Sequence, residues 1–345
     1  ELDGSTNSGS GNMQAKIGSA IGALQETGKL GNITPTSFFG DLPNMMTEIK
    51  HQEMNMFDSM NIVFKELKRT NNKKELQQIL KPFNLFAANF VGALNQHAVV
   101  REEMTGALSK YRAGFYKYTG FTGLMQRMKS GMFMAMQNHY GILAKTNSWN
   151  QLSDQVKINF GLYGIDDGMW NIMRKSTLRE FEGYELLTLE NFKDIPKNDI
   201  ISYLNKTQPT LKKITDKKIK ETQDMMQSKW RMFLYDRTHH GVLEPGARER
   251  SILNQGFERG TTAGLLMRLM TKFKSFPTTV YTRKLELMVK GSGENPKYSN
   301  YIPALAYYTV LGTTFGYASL SFADMLMGKE PRDPKDPKTA LASFA

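Results

Sequence analysis

Five histidines (His51, His97, His139, His239 and His240) and the adjacent aspartates Asp166 and Asp167 are the residues best suited to chemistry in this chain of 345 residues. Imidazole and carboxylate are the groups that zinc sites and general acid–base catalysis draw on. Their spacing does not assemble such a site. No histidine pair has the HExxH form, and there is no GxSxG elbow, Walker loop or GxGxxG turn. Asp166 and Asp167 precede a short apolar run and read as a helix N-cap, with paired acid–base or metal work as the alternative. His239-His240 stands before Gly241 and reads as a C-terminal cap, with a metal pair as the alternative. The chain has no cysteine. That excludes a disulfide, a thiol nucleophile, a cysteine zinc site and an iron–sulfur site. No two carboxylates are singled out for glycoside hydrolysis. The sequence therefore nominates no catalytic residue, no metal ligand and no cofactor, and it reads as a non-enzyme.

Binding chemistry is better represented. The formal net charge is +12, which favours anionic partners such as nucleic acid or phospholipid headgroups. Residues 206–290 hold 18 Lys/Arg against 8 Asp/Glu, so most of the excess lies there. Lys212, Lys213, Lys217, Lys218, Lys220, Arg268, Lys272 and Lys274 are the candidate anion or DNA contacts. No helix-turn-helix, zinc-finger or RNP pattern accompanies them. Any such contact would be to the phosphate backbone and strongly salt-dependent. A solvated helix face is the other reading.

Ala304 to Ala323 is a run of 20 residues without a charge. As an α-helix it would measure about 30 Å, the thickness of a bilayer's hydrocarbon core. Gly312 and Gly316 form a GxxxG, which lets helices approach closely in lipid. Tyr301, Tyr307, Tyr308 and Tyr317 suit an interface, and Pro303 suits a first turn. Thr, Ser and Gly make the run only weakly apolar. Membrane insertion and burial within a protein assembly both remain open.

The elements that must carry these residues are helical. Apolar spacing of 3.6 recurs and alternating β-branched runs do not, so the expected fold class is all-α, an elongated multi-helix assembly with long amphipathic helices. A turn region is expected at Pro35, Gly40 and Pro43, then one amphipathic helix from Leu42 to Arg69. Leu124, Met128, Met132, Met136 and Tyr140 fall on one helical line, read as core packing or as an adaptable contact surface. Gly131 and its neighbours would permit close helix contacts. A basic helix is expected from Thr210 to about Arg237, then a helix from Leu265 to Phe276 ending at Pro277, with Thr278 to Lys290 continuing helically past that proline. The regions divide as 1–34 (linker-like, with a short helix), 35–147 (Met-rich), 148–205 (helical with a connector), 206–290 (basic) and 291–345 (apolar helix and Pro-rich tail). The chain starts without Met and stops within a small apolar run, which reads as a segment of a longer polypeptide.

Three stretches carry a resemblance. The first is Leu162-Tyr163-Gly164-Ile165 with Met169-Trp170. The second is Pro245-Gly246-Ala247-Arg248, then Gly260-Thr261, Arg268 and Lys272-Phe273-Lys274-Ser275-Phe276-Pro277. The third is Gly316-Tyr317 with Gly328-Lys329 and Pro331-Arg332-Asp333-Pro334. In this order they resemble the C-terminal part of large internal virion proteins of short-tailed phages, over about 160–345. The pattern departs at Leu265 and Lys272, where glutamate and glutamine are usual. The resemblance implies a structural protein held in the virion interior and ejected with the DNA. It would then sit in the host envelope as part of an oligomeric channel for genome delivery. Implied partners are copies of itself, other ejection or core proteins, the portal or tail, viral DNA without sequence preference, and the host membrane. A basic DNA-binding module of the virion core and a fragment of a wall-degrading virion enzyme are the alternatives.

Overall fold

The computed structural model describes residues 33–69, 74–80, 120–209, 214–243, 275–285 and 301–344, with positions 114, 118, 252 and 253. Among these the all-α expectation is met: eleven α-helices and one two-stranded hairpin. The helices are α1 (Ile33–His51), α2 (Met56–Lys68), α3 (Lys74–Leu80), α4 (Phe121–Thr146), α5 (Asp154–Gly161), α6 (Asp167–Met173), α7 (Lys197–Thr207), α8 (Asp216–Gly241), α9 (Ser275–Val280), α10 (Tyr301–Leu326) and α11 (Pro337–Phe344). The chain forms two compact units, each discontinuous in sequence. The first holds Glu1–Met45, Leu85–Gln126 and Val242–Ala345; the second holds Met46–Asn84 and Arg127–Gly241.

Several boundaries differ from expectation. The turn expected at Pro35, Gly40 and Pro43 is helix, because α1 runs through all three. An internal proline costs about 3 kcal/mol, but Leu42, Met45 and Ile49 are buried at 4%, 0% and 0% exposure, which outweighs it. The single helix expected from Leu42 to Arg69 is two. Glu53 takes a left-handed φ of 54°, and the Asn55 side chain accepts from the Asp58 N–H at 3.1 Å to start α2 afresh. The basic helix begins at Asp216 rather than near Thr210 and runs past Arg237 to Gly241. Pro277 lies within α9 instead of ending a helix, and the helical continuation expected past it is present as far as described, α9 passing into a π-helical turn, Tyr281–Leu285.

In the second unit the methionine line of α4 is core. Met128, Met132, Met136 and Tyr140 are all at 0% exposure. Tyr140 centres an aromatic cluster, with ring centroids 5.3 Å from Phe160, 5.5 Å from Trp230 and 5.2 Å from Phe233. Trp170 joins through Phe160 at 5.1 Å. Aromatic side chains bring the largest apolar areas to a core. Their polar ends are satisfied: the Trp230 and Trp170 indole N–H groups donate to the Leu187 and Asn147 carbonyls at 3.0 and 3.2 Å.

Two glycines let α4 approach its neighbours. A Cβ at Gly131 would lie 2.8 Å from Val63 Cα, and one at Gly141 would lie 2.0 Å from the Glu185 carbonyl oxygen. The latter contact seats the hairpin β1 (Arg179–Phe181) and β2 (Tyr184–Leu186), whose register pairs Phe181 with Tyr184. Its turn residues Glu182 and Gly183 have φ of 53° and 83°, the two positive values a tight hairpin needs. Arg69 ties the hairpin to α2. It donates to both Glu182 oxygens, at 2.9 and 2.6 Å, and from Nε to Glu66 at 2.9 Å.

In the first unit, described contacts join α1, the π-helical turn Tyr281–Leu285 and α10. Lys284 is buried and its Nζ donates to the Asn44 carbonyl at 3.2 Å. Tyr308 donates to Asn44 Oδ1 at 3.0 Å. Phe39 lies 6.0 Å from Phe322.

Candidate functional surfaces

The basic helix α8 is amphipathic, with Ile219, Met226, Trp230, Phe233 and Leu234 inward. Its outward side mixes signs. Lys217, Lys220 and Arg231 are exposed, but so are Glu221 and Asp224. Lys218 lies 3.6 Å from Glu221, and Lys197 reaches the first-turn Asp216 at 2.8 Å. The expected block of contiguous cations is thus diluted at its described end. Lys212, Lys213, Arg268, Lys272 and Lys274 lie outside the described residues, as do Gly260, Thr261 and Phe273. The backbone of Ser275, Phe276 and Pro277 is helical in α9, and their side chains lie outside the described set.

The motif residues near position 165 serve architecture. Asp166 caps α6, accepting from the Met169 N–H at 2.7 Å, as the capping reading expects. Gly164 sits at φ 69°, and its carbonyl accepts from Lys229 Nζ at 2.6 Å. Tyr163 donates to Asp236, and burial, ahead of nearby charges, pushes its hydroxyl pKa up. Together they fix the α5–α6 corner against α8. His239 and His240 lie inside the last turn of α8 rather than beyond it. Their Nδ1 atoms stand 2.7 and 2.9 Å from the Tyr235 and Asp236 carbonyls, four residues back.

A buried polar network underlies this face and was not legible in the sequence. Glu48 and Arg237 are 2% and 3% exposed. Arg237 Nε donates to Glu48 Oε1 at 2.7 Å, and Nη2 lies 2.6 Å from the same oxygen. Burial would lower the Arg237 pKa, but the Glu48 carboxylate overcomes that and leaves it raised. Gln52 donates to Glu48 at 2.8 Å and accepts from Tyr140 at 2.6 Å and Asn159 at 3.2 Å. Partners 189 residues apart leave no local signal. Among the described residues no group of three or more His, Asp or Glu is placed to hold a metal ion.

The uncharged run forms α10, but none of the described helices is long and apolar enough to cross a membrane. Its threonines, serines and tyrosines hold the hydropathy down. The spanning reading is therefore set aside. Within the run, Val310 is 63% exposed, Ser321 is buried and most other described positions are partly covered. Tyr308 bonds α1, and Tyr317 donates to the Arg332 carbonyl at 2.9 Å. Tyr307 is half-buried. The side chains of Tyr301 and Pro303 lie outside the described residues. The two glycines of the GxxxG have separate environments. A Cβ at Gly316 would lie 1.8 Å from the Ser343 carbonyl oxygen of α11, while one at Gly312 would meet nothing within 4 Å.

Among the α10 and α11 residues whose side chains are described, Ser321, Asp324, Thr339 and Ser343 are buried. The Asp324 carboxylate accepts from Arg332 Nε at 2.8 Å. The large apolar side chains at the C-terminal end of α10 face outward. No family model, curated protein or solved structure matches the chain.

Proposed function

We propose that the chain is a structural segment of an internal virion protein. It would assemble with copies of itself and with other ejection or core proteins into a conduit for genome delivery through the host envelope. The observation that carries this reading is the exposed apolar cluster at the C-terminal end of α10. Phe322, Met325 and Leu326, with Met327 just beyond, gather large exposed apolar side chains at the C-terminal end of α10, and such patches mark association surfaces. The resemblance over 160–345 supplies the biological setting.

Sedimentation velocity and electron microscopy of the purified chain test the assembly. Closed oligomers that disappear in Met325→Ser/Leu326→Ser/Met327→Ser are expected. A monomer at every attainable concentration would overturn the reading. Immunodetection of the chain in phage particles before and after DNA release tests the setting. A basic DNA-binding module of the virion core is the second reading, favoured by the exposed Lys217, Lys220 and Arg231.

A further inference from the structure

We infer that the outer face of α2 is a self-complementary contact, on which two copies of this chain pair antiparallel across a two-fold axis. The contact lies wholly in the second unit and does not depend on the apolar cluster of α10.

α2 carries two rows of side chains where one suffices to hold it down. Ser59, Ile62, Val63 and Glu66 are its buried row. A second row runs Phe57, Met60, Phe64 and Leu67, spaced 3, 4 and 3 apart, which is the a/d spacing of a coiled-coil seam. At 3.6 residues per turn this row lies roughly 130° round the helix from the buried one. Phe57 is 86% exposed and Phe64 39%, with Met60 and Leu67 half-buried. Neither phenylalanine has a ring partner among the described residues. The row is therefore a helix seam without a facing helix.

Charge selects the occupant. Asp58, Asn61, Lys65 and Lys68 lie along one flank of the row, and all four are exposed. Asp58 is in the first turn and Lys68 in the last. Neither has an ion-pair partner among the described residues, whereas Lys65 lies 3.7 Å from Glu182. The seam is symmetric about position 62. In an antiparallel pair centred there, Phe57 of one copy opposes Leu67 of the other, and Met60 opposes Phe64. The same register sets Asp58 of each copy between Lys65 and Lys68 of the other, and opposes the two helix dipoles. A parallel pair would turn the charged flank toward Met56 and Val63 of the other copy and leave the charges unmatched. A 13-residue helix is only about 20 Å long, so this contact alone falls below the ~1,200 Å² of a stable interface. It is a reversible dimer contact that multivalent assembly would strengthen.

Sedimentation equilibrium of the full chain carrying Met325→Ser/Leu326→Ser/Met327→Ser isolates this contact from the α10 cluster. A concentration-dependent dimer should remain in that background. Adding Phe57→Ser/Phe64→Ser should raise its dissociation constant at least about tenfold, with no fall in the melting temperature of the dilute monomer. Asp58→Lys and Lys68→Glu should each weaken the dimer about fivefold, since each disrupts two pairs. Their combination should restore most of the affinity, because the swapped charges meet again. A chain that stays monomeric in this background, a dimer indifferent to the phenylalanine variants, or charge variants whose effects add instead of cancelling would each overturn the contact. So would a lower melting temperature of the monomeric phenylalanine variant, which would show the row covered by its own chain. Closed oligomers that survive the α10 substitutions would defeat the α10 reading alone.

Discussion

Arg237 Nε lies 2.7 Å from Glu48 Oε1, and both side chains are almost wholly buried in the second unit. Glu48 lies two residues after the point where the chain enters that unit at Met46, and Arg237 lies four residues before it leaves at Gly241. The pair fastens the entry and exit of the chain to each other. Breaking one partner of a buried ion pair strands the other charge, at about 3–5 kcal/mol.

Glu48→Met is therefore expected to lower unfolding stability by about that amount, measured by urea denaturation. Glu48→Met with Arg237→Met should lose much less than the two single variants combined, because no charge is left stranded. Additive losses would show that the pair is not coupled.

His139 gives the second unit an acid sensitivity. Burial lowers its pKa to about 4 from 6.5, opposed by a hydrogen bond with the Gln52 backbone. Between these values the unfolded chain binds the proton and the folded chain does not. Stability from this group is complete above 6.5 and falls as pH drops toward 4, by up to about 1.4 kcal/mol per pH unit. Urea titrations at a series of pH values should show a shallower decline in His139→Gln across that window. Equal slopes would remove His139 as the cause.

Gly141→Ala should destabilise by about 1–3 kcal/mol, since the added Cβ meets the Glu185 carbonyl oxygen. Gly123→Ala, on the same helix with nothing within 4 Å, should stabilise by about 0.5–1 kcal/mol. Thermal melts of the two variants should move in opposite directions.

Arg69→Ala should cost about 1.5–3 kcal/mol through loss of charged hydrogen bonds. Arg69→Lys should recover only part of it, because a lysine cannot grip both Glu182 oxygens at once. Exchange of the hairpin amides at 180–186 is the local readout.

If the second reading holds, DNA affinity of the chain falls steeply with salt. Lys217→Ala/Lys220→Ala should then flatten the slope of log K against log[salt] by up to about 2. An unchanged slope would place the contacts elsewhere.

The capping chemistry was legible because it is local. Asp166 sits three residues before the N–H it accepts, and that spacing is visible in the sequence. The methionine line of α4 was legible for the same reason. The hairpin at Arg179–Leu186 was missed. Its signal is a Glu182-Gly183 pair between two three-residue strands, too short for alternation to register. The break at Glu53 was missed because no glycine or proline marks it.

By itself the sequence determined the helical class, the absence of cysteine chemistry and the helix periodicities, all of which follow from residue type and short spacing. Tertiary structure decided the rest. It spent Gly316 on α11 and left Gly312 open, although one glycine is like another in sequence. It turned Tyr308 toward Asn44, and it paired Glu48 with a partner 189 residues away. Each outcome depends on which backbone or side chain arrives opposite a residue after packing, and that information is nonlocal.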